Sequence, residues 1–81
     1  MSKLEKLKAR LKSKPKDFEY KELKTLLEQL GFEEIAGSGS RRKFTKEGYI
    51  AISLHEPHPT GILKAYQVKQ IVEYLENNGL I

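Results

Sequence analysis

Cysteine is absent from the 81 residues, which excludes a disulfide framework and a thiolate metal site. Histidine is scarce. His55 and His58 are the two in the chain, and they flank Pro57, so they cannot share a helical face. Neither they nor the eleven acidic residues show a metal-ligand spacing such as His-x-x-x-His on a helix, so no metal site is expected. Long apolar runs are missing too, and none could span a bilayer. The basic amino terminus is not followed by an apolar stretch, so neither a membrane segment nor a signal peptide is expected, and the expected compartment is the cytoplasm. The chain lacks internal repeats and low-complexity segments. Its length allows one domain and little buried apolar area, which favours an oligomer or a permanent partner.

What the chain does have is positive charge, unevenly placed. The net charge is +4. Residues 1–16 carry seven Lys or Arg (Lys3, Lys6, Lys8, Arg10, Lys12, Lys14, Lys16) against one acid, Glu5. The remainder is mildly acidic. A basic arm of this kind adds sequence-independent attraction to a phosphate backbone, or else forms a solvated helix face.

Leu4, Leu7 and Leu11 recur on one helical stripe, with Ser2 as a candidate N-cap and Ser13-Lys14-Pro15 as the stop. This reads as an accessory helix, loosely tethered, in an arm of residues 1–16. The domain proper is expected over residues 17–81. Asp17 is the candidate N-cap of the next helix, with Glu19 and Glu22 near its positive end. Tyr20, Leu23, Leu27 and Leu30 form its stripe, with Leu26 beside them. Gly31 fits the left-handed position after the helix, and Phe32 folds back on Leu27. Strands are expected at about 32–36, 41–45 and 49–54, with Gly37-Ser38-Gly39 as a turn. A last helix at about 65–77 buries Val68, Ile71, Val72 and Leu75, and Asn78-Gly79 ends it so that Leu80 and Ile81 can pack back.

Parity sets the expected hairpin. A three-residue loop, Lys46-Glu47-Gly48, puts Phe44 opposite Ile50 on the core face and glycine at the left-handed position of a bulge. Arg41 and Lys43 then share the outer face with Ala51, Ser53 and His55. The fold class is α+β: a three-stranded antiparallel sheet with two helices on one face, like the double-stranded-RNA-binding domain among others, plus the amino-terminal helix. Fold alone assigns no function.

The chemistry-bearing residues lie close together. Gly37 to Lys43 is a glycine–serine turn running into Arg41-Arg42-Lys43, and the hairpin ends at His55-Glu56-Pro57-His58-Pro59. Metal-free RNA cleavage needs a base for a 2′-hydroxyl, an acid for the leaving 5′-oxygen, and fixed donors for the phosphorane between them. Histidine titrates near neutrality and suits the first two; Arg, Lys and backbone N–H groups suit the third. Each residue also has a plain alternative. The histidines fit a surface turn, the basic run fits a solvated or edge-protecting strand, and the turn matches no Walker-type motif. Tyr49 and Tyr66 fit either base stacking or ordinary half-burial.

Residues 20–81 resemble the HicA family of bacterial type II toxins. The matching pieces are Leu30-Gly31-Phe32, the Gly39-Ser40 turn, Phe44, Leu54-His55, Leu63-Lys64, Gln67-Val68-Lys69-Gln70-Ile71 and Gly79-Leu80-Ile81. The resemblance implies a double-stranded-RNA-binding-like fold and an mRNA-cleaving ribonuclease. It also implies a HicB-type antitoxin that masks the active surface, with an oligomer of toxin and antitoxin left open, and no obligatory metal or organic cofactor. One departure stands out. Many HicA proteins read Gly-Ser-His at the turn, with that histidine taken as catalytic, whereas this chain reads Gly39-Ser40-Arg41. Arginine is no general base near neutral pH, but it can hold phosphate.

On this reading His55, with His58 second, handles protons, and Arg41 stabilises the transition state. Ser40, Arg42 and Lys43 bind the scissile region, and Lys64 and Lys69 at the start of the last helix contact the RNA backbone. The alternatives are a non-catalytic RNA-binding module on the same surface and a protein that only docks an acidic partner.

Overall fold

The computed structural model describes residues 3–57 and 60–81. The order is α1 (Lys3–Lys12), α2 (Tyr20–Gln29), β1 (Glu33–Ala36), β2 (Arg41–Thr45), β3 (Ile52–His55) and α3 (Ala65–Asn77). The strands form one antiparallel sheet in the order β1-β2-β3. The fold class is therefore α+β, as the sequence pattern predicts. Ser2, the expected cap of α1, lies outside the described residues.

Alternation along the strands divides the sheet into two faces. Phe44 is fully buried and its cross-strand partner Ile52 nearly so. They meet Leu23, Leu26 and Leu27 of α2 and Val68, Ile71, Val72 and Leu75 of α3 in one core. Leu7 and Leu11 of α1 belong to that same core. The amino-terminal helix is thus packed, not loosely tethered. Its Arg10 donates to the Glu22 carboxylate at 2.9 Å, pairs with the Asp17 carboxylate at 3.2 Å, and lies over the Phe18 ring.

Asp17 is not the N-cap of α2. That position is Glu19. The chain is extended at Glu19 because it pairs there with the segment before α3: Tyr20 N–H donates to the Gly61 carbonyl and Leu63 N–H to the Phe18 carbonyl. Helical geometry can start only after that pairing ends. Glu22 then reaches back to the Glu19 N–H, which satisfies a free donor of the first turn. The same pairing brings the starts of α2 and α3 together.

The end of α2 follows expectation. Gly31 has φ +99°. Its N–H donates to the Glu28 carbonyl and Phe32 N–H to the Leu27 carbonyl, which is a Schellman motif. Lys46 donates to the Leu30 carbonyl, placing a cation at the negative end of the helix.

The β2–β3 connection is longer than expected. Phe44 pairs with Ile52, not Ile50, and β3 begins at Ile52 instead of Tyr49. Tyr49 is drawn into a turn, its N–H on the Lys46 carbonyl and its ring 6.0 Å from that of Phe32. Ile50 is consequently 82% exposed, and its carbonyl accepts from the Tyr74 hydroxyl. A slip of two residues preserves parity, so the face assignment of the later residues survives.

Two carboxylates link this architecture to pH. Arg10 holds Glu22 below its ordinary range through their hydrogen bond. Tyr20 does the same for Glu34 through its hydroxyl, helped by Lys24 at 3.2 Å. Burial first, and Glu34 second, push the Tyr20 phenol above its usual range. For a carboxylate with a depressed native pKa, the unfolded chain binds protons first as pH falls. The stabilisation is complete above the ordinary carboxylate pKa of 4.5 and disappears as pH drops through the native values. Melting temperature is therefore expected to be flat near neutrality and to fall below about pH 4.5. Glu22→Gln should lower it at pH 7 and flatten the acid limb. An acid limb as steep as that of the native chain would show that Glu22 does not contribute.

Candidate active site on the outer face of the sheet

Residues of odd number along β2 and β3 point away from the helices. Arg41 pairs with His55 and Lys43 with Ser53, and all four are exposed. Ile35 of β1 lies beyond Lys43. Together with Gly37 and Ser38 they line a depression of about 460 Å³. The expected outer-face group of Arg41, Lys43, Ser53 and His55 is therefore assembled. Ala51 precedes the strand.

The turn that carries Arg41 is fixed from both sides. Gly37 N–H donates to the Arg41 carbonyl at 2.8 Å and Arg41 N–H to the Ser38 carbonyl at 3.1 Å. Gly39 supplies the φ of +60° that this tight reversal requires. A Cβ on Gly37 would approach Arg41 Cβ to 3.2 Å, so the close approach also favours glycine there. Just past β3, Glu56 N–H donates to the Ser40 carbonyl at 2.7 Å.

Arg42 occupies the other face. It pairs with Leu54, and its guanidinium bonds the Glu56 carboxylate at 3.1 Å and the carbonyls of Gly39 and Arg41 at 3.0 and 2.8 Å. This arginine pins the turn to the segment after β3. It also neutralises Glu56, the one carboxylate next to His55 in the chain. The three consecutive cations are thus split, with Arg41 and Lys43 facing solvent and Arg42 bracing them.

His55 is also at the rim of a second depression, of about 200 Å³, formed with Ser40, Pro57, Lys64, Tyr66 and Gln67. It therefore stands where the outer face meets the start of α3. Lys64 lines that second depression. Lys69 is exposed farther along α3 and lines neither. His58 lies outside the described residues.

Sequence reading missed Gln67. Only 6% exposed, it donates through Nε2 to the His55 carbonyl at 3.0 Å and accepts the Lys64 N–H on Oε1 at 2.9 Å. One buried amide therefore sets the distance between the end of β3 and the start of α3. The signal was present: Lys64-Ala65-Tyr66-Gln67 has the spacing at which a glutamine reaches back to the cap N–H. Tyr49, a stacking candidate, is half-buried between Phe32 and Lys46; Tyr66 is exposed.

A family model described as the HicA toxin of bacterial toxin–antitoxin systems matches residues 20–80. The chain belongs to the HicA toxin family. No curated protein and no solved structure matches it significantly. The HicA match opens on the first residue of α2 and closes on Leu80, whose N–H bonds the Leu75 carbonyl at the end of α3. It takes in the sheet and both helices that flank it in sequence, and it leaves α1 outside. As a HicA toxin, the protein is one side of a toxin–antitoxin pair. Among the described residues, no helix is long and apolar enough to cross a membrane.

Proposed function

We propose that this HicA toxin is a ribonuclease that cuts mRNA in the cytoplasm and is neutralised by a HicB-type antitoxin covering the outer sheet face. The observation that supports this best is the cross-strand pairing of Arg41 with His55, with Lys43 and Ser53 in the adjacent pair. A titratable imidazole and two fixed cations share one open surface there, and a phosphodiester needs both.

His55 moves a proton at one end of the displacement, and His58, three residues on, is the second proton carrier. As the 2′-hydroxyl loses its proton, O2′ attacks phosphorus. The bond from phosphorus to the 5′-oxygen breaks, and that oxygen takes a proton, leaving a 2′,3′-cyclic phosphate and a free 5′-hydroxyl. Arg41 and Lys43 hold the non-bridging oxygens, whose charge grows in the transition state. Ser40 and Lys64 guide the strand past His55, Lys69 extends the cationic track along α3, and Arg42 keeps the Arg41 turn in place. No step needs a cofactor.

Arg41 also favours a second reading, since it stands where many HicA proteins have histidine: an RNA-binding protein that holds phosphate without cutting. One experiment separates the two. Purified protein is incubated with end-labelled single-stranded RNA in the presence of a chelator, while induction in a bacterial host follows growth and mRNA integrity. Fragments with cyclic phosphate ends, together with growth arrest and mRNA loss, are expected. Intact RNA and normal growth with abundant folded protein would overturn the ribonuclease, and salt-sensitive RNA retention in that case would establish the second reading.

A further inference from the structure

We infer that Tyr66 is the platform on which a nucleobase of the bound RNA stacks beside His55. The inference rests on the ribonucleic-acid reading of the site but not on cleavage. The aromatic residues of the chain differ in what covers them. The three phenylalanines are buried. Of the four tyrosines, Tyr20 is buried with its hydroxyl on Glu34. Tyr49 packs its ring on Phe32 under the Lys46 ammonium. Tyr74 sets its ring 6.4 Å from Phe32 and its hydroxyl on the Ile50 carbonyl. Tyr66 alone is strongly exposed, at 57%, and it has no ring contact and no hydroxyl partner among the described residues.

Its surroundings name the ligand. Tyr66 lines the smaller depression with His55, Ser40 and Lys64, and Lys69 follows it by three residues on α3, the spacing of helical neighbours. An exposed ring set among cations fits a base joined to a phosphate: the ring takes the π-face and the cations take the charge. The acid at this rim, Glu56, is already paired with Arg42. Because Gln67 fixes the first turn of α3 to the His55 carbonyl, a base on Tyr66 belongs to a nucleotide held beside His55. Stacking is open to every base because each has a π-face, so Tyr66 adds affinity at that position without selecting a sequence.

The test uses the full chain and a 2′-fluoro RNA oligonucleotide, which has no 2′-hydroxyl to deprotonate and so is bound without being cut. Affinity is read by fluorescence anisotropy. Tyr66→Ala should weaken binding roughly 5- to 150-fold, the range for loss of one stacked base, while Tyr66→Phe stays close to the native chain. On a probe whose bases are removed, Tyr66→Ala should have no effect. The inference is overturned if Tyr66→Ala binds like the native chain, if Tyr66→Phe loses as much as Tyr66→Ala, or if the abasic probe shows the same loss. It is also overturned if Tyr66→Ala disrupts only the complex with the antitoxin, which would assign the ring to a protein partner. Tyr66-dependent binding by a chain that cuts nothing sustains the inference and removes the ribonuclease. Absence of RNA binding by the native chain removes both.

Discussion

Replacing His55 with alanine is expected to lower RNA cleavage by about 10²-fold or more, the loss typical of removing a positioned acid or base. The structure makes this a clean measurement. The imidazole is exposed on the outer face, so its removal opens no cavity. The contact that ties residue 55 to α3 runs through the backbone carbonyl to Gln67 and is kept in the variant. Pairing with Arg41 in the sheet is likewise a backbone matter. His55→Ala should therefore fold and melt like the native chain, with any difference within about 0.5 kcal/mol, and should still bind uncleavable RNA through Arg41 and Lys43. In a bacterial host it should lift growth arrest at unchanged protein level. Retained cleavage by a folded His55→Ala would sink the assignment and leave the proton work to His58. A variant that neither binds nor cuts would instead make residue 55 part of the RNA grip.

Much of this site could be read from residue order. The period of two along β2 and β3 fixes which side chains share a face. That is why Arg41, Lys43, Ser53 and His55 come together although the hairpin loop is two residues longer than expected. The slip itself was not legible, because Ile50 and Ile52 satisfy the alternating pattern equally well. The choice between them is made by Tyr49, whose ring packs on Phe32 and Lys46 and pulls the chain out of the strand. The Schellman end of α2 was legible since it needs only a glycine and an apolar residue in order. The start of α2 was not: Glu19 displaces Asp17 as cap because Ile62, 43 residues farther along the chain, pairs with Glu19. Arg42 shows the same limit. Three adjacent cations look equivalent in sequence, and only the partnership with Glu56 and the turn carbonyls separates the brace from the two that face solvent.

Leu11→Ala is expected to destabilise the protein by about 2–5 kcal/mol, the cost of truncating a leucine in a packed core. A ten-residue helix rich in lysine is marginal in isolation, since nucleation is costly and each added residue contributes little. Its helicity must therefore come from docking. Leu11 is fully buried, and Leu7 nearly so, in the cluster that contains Phe18, the α2 leucines and the α3 valines. Arg10 adds its bonds to Glu22 and Asp17 on the neighbouring surface, but partly exposed pairs of this kind contribute at most about 1 kcal/mol each. Apolar burial thus decides the outcome. For a domain of this size, 1 kcal/mol moves the melting temperature by about 4–8 °C, so Leu11→Ala should melt at least about 8 °C lower, with an earlier urea midpoint at unchanged slope. Lys3→Gln and Lys6→Gln, on the exposed side of the same helix, should shift it by no more than about 0.5 kcal/mol. A loosely tethered arm predicts the reverse for Leu11, a change too small to resolve. Although α1 lies outside the residues matched by the family model, a large loss in Leu11→Ala would make it part of the same cooperative unit. The lysines of the amino-terminal segment would then be carried on a rigid helix docked behind the sheet, on the side away from Arg41 and His55, and the charge of α1 would act on RNA only at long range.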